Sequence, residues 1–174
     1  PVQAAALWPL PVSAQVAAAT GHWNSGVALA TIQVFQRANV PFIVWGAISP
    51  KITERNNPMI SRVVTTLVNT NEPLAKWAAE SVGKKIAIVS DTSDYGFANS
   101  QNFSKFYKAA GGAIVAAEAV PVGTTDFRAL LTKVKGSAPD AIYFGGVVTE
   151  AGLVRQQMVE MAQNRLPPLE RIAA

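Results

Sequence analysis

The chain has 174 residues, with no cysteine and a single histidine, His22. The missing cysteines exclude disulfides, thiolate zinc sites and a cysteine nucleophile, but they do not identify the compartment, because exported bacterial proteins can also lack cysteine. A general base needs an acid to orient it, and no such acid is identifiable for His22. We therefore interpret His22 as a structural residue or a hydrogen-bond donor at a turn.

Charged residues are also scarce, at 15% of the chain, and their net charge of +4 comes from 15 basic and 11 acidic residues. Only Lys84 and Lys85 are adjacent basic residues, so the charge indicates an ordinary surface and no nucleic-acid partner. No apolar run reaches the roughly 18 residues that a membrane-spanning helix needs, and direct membrane insertion is not expected. With 49% apolar residues, the chain has ample material for a folded core.

Motifs for catalysis and phosphate binding are missing as well. The segment GHWNSG is not a G-x-S-x-G nucleophile elbow, because Ser25 follows Gly21 by four residues. No G-x-G-x-x-G or Walker loop is present. Asp91 and Asp94 share one loop and imitate a metal pair, but Asp94 is better interpreted as a helix cap or a solvent-exposed residue. We expect no enzyme activity, no metal and no cofactor.

Short apolar runs alternate with segments of helical periodicity. The first run ends at Gly21, and Ser25 is the predicted N-cap of the helix that follows. Pro73 is predicted in the first turn of a second helix, and Asp126 is a predicted cap. The predicted strands end at 21 and span 40–45, 59–67, 85–90, 113–120 and 139–144, and the helices span 25–38, 72–83, 97–110, 127–135 and 151–164. This alternation predicts an α/β fold of parallel sheets with helices on both faces, in three αβα layers.

Four loops follow the carboxyl ends of predicted parallel strands, at 21–25, 46–49, 91–95 and 145–150. Ligands of such sheets bind outside those ends. The helix that begins at Ser25 adds unpaired amides and a positive dipole end, which attract a carboxylate or a phosphate. Two loops precede Asn69 and two follow it, so two small sheets facing one another across a cleft would bring all four together.

Aromatic residues divide into candidate ligand contacts and candidate core. Trp23 is as readily core as ligand contact, whereas Tyr95 stands at the end of a loop beside a glycine and is expected to face the ligand. The remaining aromatics within apolar stripes are predicted to be core: Trp45, Trp77, Phe103, Phe106 and Tyr143.

Four ordered segments carry a family resemblance: GHWNS, NVPFIVWGAISPKIT, KKIAIVSDTSDYG and TTDFRALLTKVKGSAPDAIYFGG. Together they resemble the periplasmic substrate-binding proteins of branched-chain amino-acid ABC transporters, the leucine/isoleucine/valine-binding family with the type I periplasmic-binding fold. Each motif alone is weak, but the ordered set covers about 13–164 and is specific.

The resemblance implies a bilobal, non-enzymatic periplasmic receptor that binds a small carboxylate and presents it to a membrane permease. Residues 1–68 would belong to the N-terminal lobe and residues 69–174 to the C-terminal lobe. Family members are considerably longer, so both lobes are expected to be incomplete and the chain resembles a middle section. Its first residues show no basic leader of a signal peptide.

The resemblance also implies a set of ligand-binding residues. Ser25 would bind the ligand carboxylate, and Tyr95 would close over it from the other lobe. The other implied contacts are Trp23, Asn24, Gly46, Ala47, Ile48, Val147 and Val148. Ile48 stands where the family usually has a threonine or serine that holds an α-ammonium group. We therefore expect a less polar carboxylic acid, such as an aromatic one, in place of a standard α-amino acid.

Two other classes of protein remain open from the sequence. One is a ligand-sensing domain of a receptor or regulator on the same fold, which flanking transmembrane or DNA-binding segments would indicate. The other is a flavodoxin-like or Rossmann-like enzyme, which a phosphate or flavin in the first βα loop would favour.

Overall fold

The computed structural model describes residues 16–54 and 56–163 of the chain. They form two compact units, which divide after Asn69. The proline-rich start of the chain and the expected end of the last helix at Asn164 lie outside the described residues. Within these ranges, no helix is both long and apolar enough to cross a membrane.

The first unit contains a parallel sheet of three short strands in the order β1-β2-β3. The strands are β1 (Ala19–Gly21), β2 (Phe42–Val44) and β3 (Ile60–Arg62). Helix α1 (Ser25–Arg37) connects β1 to β2, and a 3-10 turn (Pro50–Ile52) lies between β2 and β3. The predicted strand at 59–67 is therefore wrong in its length, because pairing with β2 ends at Arg62.

One face of this sheet carries the core of the first unit. Phe42 and Val44 point to this face and pack with Ala28 and Phe35 of α1. The rings of Phe35 and Phe42 stack with centroids 4.5 Å apart. Ile43 points the opposite way and is partly exposed. Among the described residues of this unit, the packed helices therefore lie on one side of the sheet.

The N-cap of α1 is Asn24, and the prediction of Ser25 as the cap is wrong by one residue. Asn24 Oδ1 accepts hydrogen bonds from the amides of Gly26 (2.9 Å) and Val27 (3.2 Å). An amide side chain at this position satisfies two of the orphan donors of the first turn. Ser25 is thus released for a different contact.

Helix α2 (Leu67–Ser81) begins five residues earlier than the sequence predicts. Thr66 Oγ1 accepts a hydrogen bond from Asn69 N–H (3.4 Å), which caps the early start. The cluster at 69–71 is typical of a turn, but Asn71 is buried and pairs with residues of other elements. Tertiary contacts here outweigh local propensity, and Pro73 is the seventh residue of the helix, so its predicted place in the first turn is wrong.

The second unit contains a longer parallel sheet in the order β5-β4-β6. Its elements follow in chain order: β4 (Lys85–Asp91), α3 (Asp94–Ala109), β5 (Ala113–Val120), α4 (Arg128–Lys135), β6 (Ala141–Gly145) and α5 (Val148–Gln163). The central strand β4 pairs with β5 on one side and with β6 on the other.

Both faces of this sheet are covered, so the predicted three-layer architecture is found in the second unit. Ile86 and Ile88 pack against α2 and α3, together with Phe103. Ala87 and Val89 of the same strand pack against α4 and α5 on the opposite face. A strand buried on both faces explains why its sequence is a continuous apolar run.

Helices α3 and α5 each begin three residues before their predicted starts at 97 and 151. Ser93 caps α3, because its hydroxyl accepts a hydrogen bond from Gly96 N–H (3.0 Å). Asp94 is exposed, as one of its two interpretations expected. Asp126 lies one residue before the cap of α4 and accepts a hydrogen bond from Arg128 N–H (3.1 Å).

The prediction of core aromatics is right for buried Phe103 and Tyr143 and wrong for Trp45 and Trp77. Phe106 is partly buried against the same core as Phe103. Trp45 and Trp77 are each about half exposed. An apolar stripe in the sequence does not distinguish a core position from an exposed one at its edge.

Replacing Phe103 with alanine should destabilise the protein by about 4 kcal/mol, since the ring is fully buried. It stacks on Tyr143 with centroids 3.7 Å apart, and the deletion leaves a cavity. Chemical unfolding measures the loss. Phe97→Ala on the same helix removes a half-exposed ring and should lose about 1 kcal/mol or less. Equal losses for both variants would contradict the packing described above.

Candidate functional site

Three hydrogen bonds join the loop after β1 to the loop after β2. Their donors and acceptors are Trp45 N–H to Gly21 O (3.2 Å), Ala47 N–H to His22 O (2.8 Å) and Ser49 N–H to Ser25 Oγ (3.2 Å). The first two continue the pairing of the strands beyond the end of the sheet, and the third replaces a backbone acceptor with a hydroxyl. The two loops are therefore one connected structure.

The hydroxyls of Ser25 and Ser49 lie at the centre of this structure. Both residues are buried, at 1% and 0% exposed. Ser25 Oγ accepts the bond from Ser49 and still has its own hydrogen to donate. Ser49 Oγ has no hydrogen-bond partner within the described part of the chain. Since buried hydroxyls are normally paired, this pair has unused hydrogen-bonding capacity.

Arg62 lies at the end of β3 and supports the loop after β2. Its guanidinium donates to the carbonyl oxygens of Ser49 (2.8 Å) and Ala47 (3.4 Å) and to the hydroxyl of Thr53. Burial lowers the pKa of Arg62, and the nearby charge of Glu54 acts in the opposite direction. Because arginine keeps its charge over the physiological range, a cation is bound to the backbone of the loop that carries Ser49.

Trp23 and Trp45 form an exposed aromatic pair on the two connected loops. They are 75% and 50% exposed, and their ring centroids lie 5.9 Å apart at an interplanar angle of 48°. Gly46 touches Trp23 so closely that a Cβ at this position would lie 2.9 Å from Trp23 Cε3. Glycine therefore allows the indole to lie against the backbone of the second loop.

His22 has no arrangement for catalysis. Its ring contacts Phe42 with centroids 5.5 Å apart, and its Nε2 is buried without a hydrogen-bond partner among the described residues. Burial lowers the pKa of His22, so the imidazole is neutral at pH 7. His22 contributes to the loop structure through its carbonyl oxygen, which accepts the hydrogen bond from Ala47 N–H.

Asp91 connects two loops of the second unit. It is buried, and its Oδ1 accepts bonds from Ser93 N–H (2.8 Å) and from the Ser93 hydroxyl. Its Oδ2 accepts a bond from Val147 N–H (3.0 Å). The loop after β4 and the loop after β6 are therefore held by one carboxylate.

Two glycines make room for this carboxylate. A Cβ on Gly146 would lie 2.8 Å from Asp91 Oδ2, and a Cβ on Gly96 would collide with Asp91 Oδ1. Both glycines are therefore required for the close packing of Asp91. Among the described residues, no group of three or more histidine, aspartate or glutamate side chains is placed to hold a metal ion.

Tyr95 is half-buried in the first turn of α3, and Asn99 Nδ2 donates to its hydroxyl oxygen (3.4 Å). Burial, and to a smaller extent the charge of Asp91, raises the pKa of Tyr95. The phenol therefore keeps its proton at physiological pH. Val147 is half-buried beside Asp91, and Val148 is 86% exposed.

The structure thus brings the expected site residues together within each unit. Trp23, Asn24 and Ser25 adjoin Gly46, Ala47 and Ile48 in the first unit, with Ala47 buried and Ile48 half-buried. In the second unit, Val147 is on the loop after β6, and Tyr95 and Val148 are in the first turns of the helices that follow the two loops that Asp91 connects.

Ten large apolar side chains in the described ranges are exposed, and six of them follow the carboxyl end of a strand. These six are Trp23, Trp45 and Val63 in the first unit, and Phe97, Val122 and Val148 in the second. We call them the carboxyl-end apolar residues. Their concentration at one edge of each sheet, where polar loops are normal, indicates a binding surface.

Sequence reasoning missed the roles of three residues at these strand ends and loops: Ser49, Arg62 and Asp91. Arg62 had a detectable signal, because it is a lone charge in an otherwise β-branched segment. Asp91 stands at the end of an apolar strand before a serine, which is typical of a buried loop anchor. Ser49 differs from other loop serines only by its burial, which the sequence does not reveal.

Asp91→Asn should destabilise the second unit by about 2 kcal/mol, because an amide places an N–H group against Ser93 or Val147, which are themselves donors. Chemical unfolding with tryptophan fluorescence or circular dichroism measures the change. The matched control is Asp94→Asn, an exposed residue three positions away, which should change stability by less than about 0.5 kcal/mol. Similar effects of both substitutions would contradict the anchoring role of Asp91.

Gly46→Ala should displace the Trp23 indole, since the added methyl group would meet Trp23 and the His22 carbonyl at about 3 Å. We expect a lower unfolding midpoint and a changed tryptophan emission maximum. Gly152→Ala is the control, because nothing lies within 4 Å of a Cβ there. That substitution in helix α5 should be stabilising by up to about 1 kcal/mol and leave the emission unchanged.

Comparisons with known proteins agree with this architecture. A family described as periplasmic binding protein matches residues 5–160. The Leu/Ile/Val-binding protein BraC3 of Rhizobium johnstonii is 31% identical over 145 residues, which cover 83% of this chain and 40% of that protein. The chain therefore spans about two fifths of the length of this relative.

Two solved structures are similar in fold and sequence. A solute binding protein of an ABC transporter from Rhodopseudomonas palustris HaA2, in complex with p-hydroxybenzoic acid, is 34% identical with a TM-score of 0.73, covering 84% of this chain and 40% of that one. The branched-chain amino acid transporter substrate binding protein LivJ from Streptococcus pneumoniae, in complex with isoleucine, is 30% identical with a TM-score of 0.77, covering 86% and 42%. With most of its length matched by the family, the chain belongs to the periplasmic binding proteins of the branched-chain amino-acid type.

Proposed function

We propose that this protein is the solute-binding component of an ABC transporter, which binds a small carboxylic acid in the periplasm and delivers it to a membrane permease. The observation that carries the proposal is the structure of the edge of each sheet at which its strands end. We call these two edges, one in each unit, the binding edges. Each edge combines loops joined by a buried polar side chain with exposed apolar residues. We further propose that Tyr95 of the second edge contacts the ligand, as the family resemblance implies.

The first edge suits the carboxylate of the ligand. Ser25 and Ser49 have hydroxyl groups with unused hydrogen-bonding capacity, and Arg62 adds a positive charge at the Ser49 carbonyl. Ser25 is also the first residue of α1, where the helix dipole is positive. Hydroxyl donors, a helix N-terminus and a cation together favour an anion over a neutral group.

The same edge suits an aromatic ligand body. Trp23 and Trp45 present two exposed indoles, and aromatic rings pack on one another in tilted or offset arrangements. Ser49 offers a hydroxyl next to Ile48, so the loss of a hydroxyl at Ile48 alone is a weak argument against an α-amino acid. The indole pair is the stronger argument for an aromatic acid, and the relative from Rhodopseudomonas palustris is in complex with such a ligand.

Thermal unfolding and calorimetry of the full-length protein with 4-hydroxybenzoate and with leucine test this proposal. We expect 4-hydroxybenzoate to raise the unfolding midpoint, because a ligand at 100 times its dissociation constant stabilises the folded state by about 2.7 kcal/mol. Leucine should bind at least tenfold more weakly. Ser25→Ala and Ser49→Ala should each weaken binding of 4-hydroxybenzoate by about tenfold, through the loss of one hydrogen bond to an anion.

Trp23→Ala should also weaken binding, and Trp77→Ala is the control, because Trp77 is half exposed but lies on α2 away from the strand ends. If the serine variants lose stability but keep their affinity, the two hydroxyls are structural. Tight leucine binding would contradict the aromatic ligand, and binding of neither compound would contradict the proposal as stated.

A further inference from the structure

Three polar side chains form a buried network beneath Tyr95 in the second unit. Asn71 of α2, Asn99 of α3 and Tyr143 of β6 are all more than nine-tenths buried. We call these three residues the amide network. No motif in the sequence predicts it, and packing does not require it, because apolar side chains would fill the same volume without hydrogen-bonding needs.

The hydrogen bonds of the network determine which way the Asn99 amide points. Asn71 Nδ2 donates to Asn99 Oδ1 (2.8 Å), and the single hydrogen of the Tyr143 hydroxyl has two acceptors within reach, Asn99 Oδ1 (2.8 Å) and Asn71 Oδ1 (3.0 Å). Burial raises the pKa of Tyr143, which keeps this hydroxyl a donor. Because Asn99 Oδ1 accepts the bond from Asn71, the Nδ2 group of Asn99 points away from Asn71.

That Nδ2 group points to Tyr95. It donates to the Tyr95 hydroxyl oxygen, so the phenol receives a hydrogen bond from inside the protein. A hydroxyl has one hydrogen, and one that accepts on its inner side directs that hydrogen outward. The raised pKa of Tyr95 keeps that hydrogen in place at physiological pH.

We propose that Asn99 is a positioning residue that makes Tyr95 a hydrogen-bond donor toward the ligand, and that Asn71 and Tyr143 fix this polarity. The inference rests on the proposed function, in which Tyr95 contacts the ligand. It specifies that the ligand group at Tyr95 is an acceptor, such as a carboxylate or hydroxyl oxygen.

Asn99→Asp reverses the polarity at nearly constant shape. The new carboxylate accepts hydrogen bonds from Asn71 and Tyr143 as before, and its second oxygen accepts a hydrogen bond from the Tyr95 hydroxyl. Calorimetry with 4-hydroxybenzoate on the full-length protein should then show about tenfold weaker binding, as for Tyr95→Phe. The double variant with Asn99→Asp and Tyr95→Phe should bind 4-hydroxybenzoate no more weakly than Tyr95→Phe alone, because both changes remove the same donor.

The matched control is Asn102→Asp on the same helix. Asn102 Nδ2 donates to Ala98 O (2.8 Å), a bond within α3, and its substitution adds the same negative charge. The affinity of Asn102→Asp for 4-hydroxybenzoate should stay within about twofold of that of the unchanged protein. Asn102 and Asn99 are three residues apart on α3, so the two substitutions add a charge at similar places, but only Asn99 contacts Tyr95. A loss equal to that of Asn99→Asp would assign the effect to charge and overturn the inference.

Asn99→Leu tests the same idea without a buried charge, in case Asn99→Asp is unfolded at the assay temperature. It removes the donor to Tyr95 but supplies no competing acceptor, so we expect about threefold weaker binding, and no further loss in the Tyr95→Phe background. Equal losses in both backgrounds would overturn the inference.

Two outcomes separate this inference from the proposed function. If the unchanged protein binds neither 4-hydroxybenzoate nor leucine, the proposed function fails. If it binds 4-hydroxybenzoate and Tyr95→Phe leaves the affinity unchanged, the proposed function stands and the role of Tyr95 as a donor is contradicted.

Discussion

Each unit depends on one buried polar side chain that accepts the amide N–H groups left over where parallel strands end. Past the last paired residue, loop amides lose their partners in the neighbouring strand and need other acceptors. Ser25 provides the acceptor for Ser49 in the first unit, and Asp91 provides acceptors for Ser93 and Val147 in the second. The bonds from Ser49 and from Val147 each cross from one loop to another, so the bond that satisfies the amide also fixes one loop against its neighbour.

This arrangement reverses the usual distribution of polar and apolar side chains at the edge of a sheet. The polar side chains point inward to hold the backbone, and large apolar side chains such as Trp23 and Val148 remain on the surface. Glycines at 46, 96 and 146 make the reversal possible, because each leaves room where a side chain would strike an indole or the Asp91 carboxylate. An exposed apolar edge on a rigid polar base is the construction expected of a ligand-binding surface.

Much of the second unit could be predicted from the sequence. Strand β5 was predicted with its observed bounds, and the apolar run of β4 is a consequence of packing on both faces. The first unit was harder, because strands of three residues carry little pattern and the β-branched residues after Arg62 suggest a strand where none is paired. The start of α2 was missed because Asn71 is held by tertiary contacts that local propensity does not express.

The residues predicted for the site follow strand ends in each unit, but several of their local structural roles differ from those that the sequence predicts. Ser25 is at the expected helix start, but Asn24 is the cap, and Ser25 accepts a bond from Ser49. Of the two loop aspartates, Asp94 is exposed and Asp91 is buried. Roles of this kind depend on which side chain faces inward, and spacing along the chain does not determine that.

The two anchoring side chains, Ser25 and Asp91, differ in the hydrogen-bonding groups that they leave available. A serine hydroxyl that accepts one bond keeps a hydrogen to donate, so the first unit retains a donor for an anion. A carboxylate has only acceptors, and Asp91 uses both of its oxygens on backbone and hydroxyl donors. Its negative charge is therefore turned toward the interior of the second unit, where it holds the loop after β4 against the loop after β6.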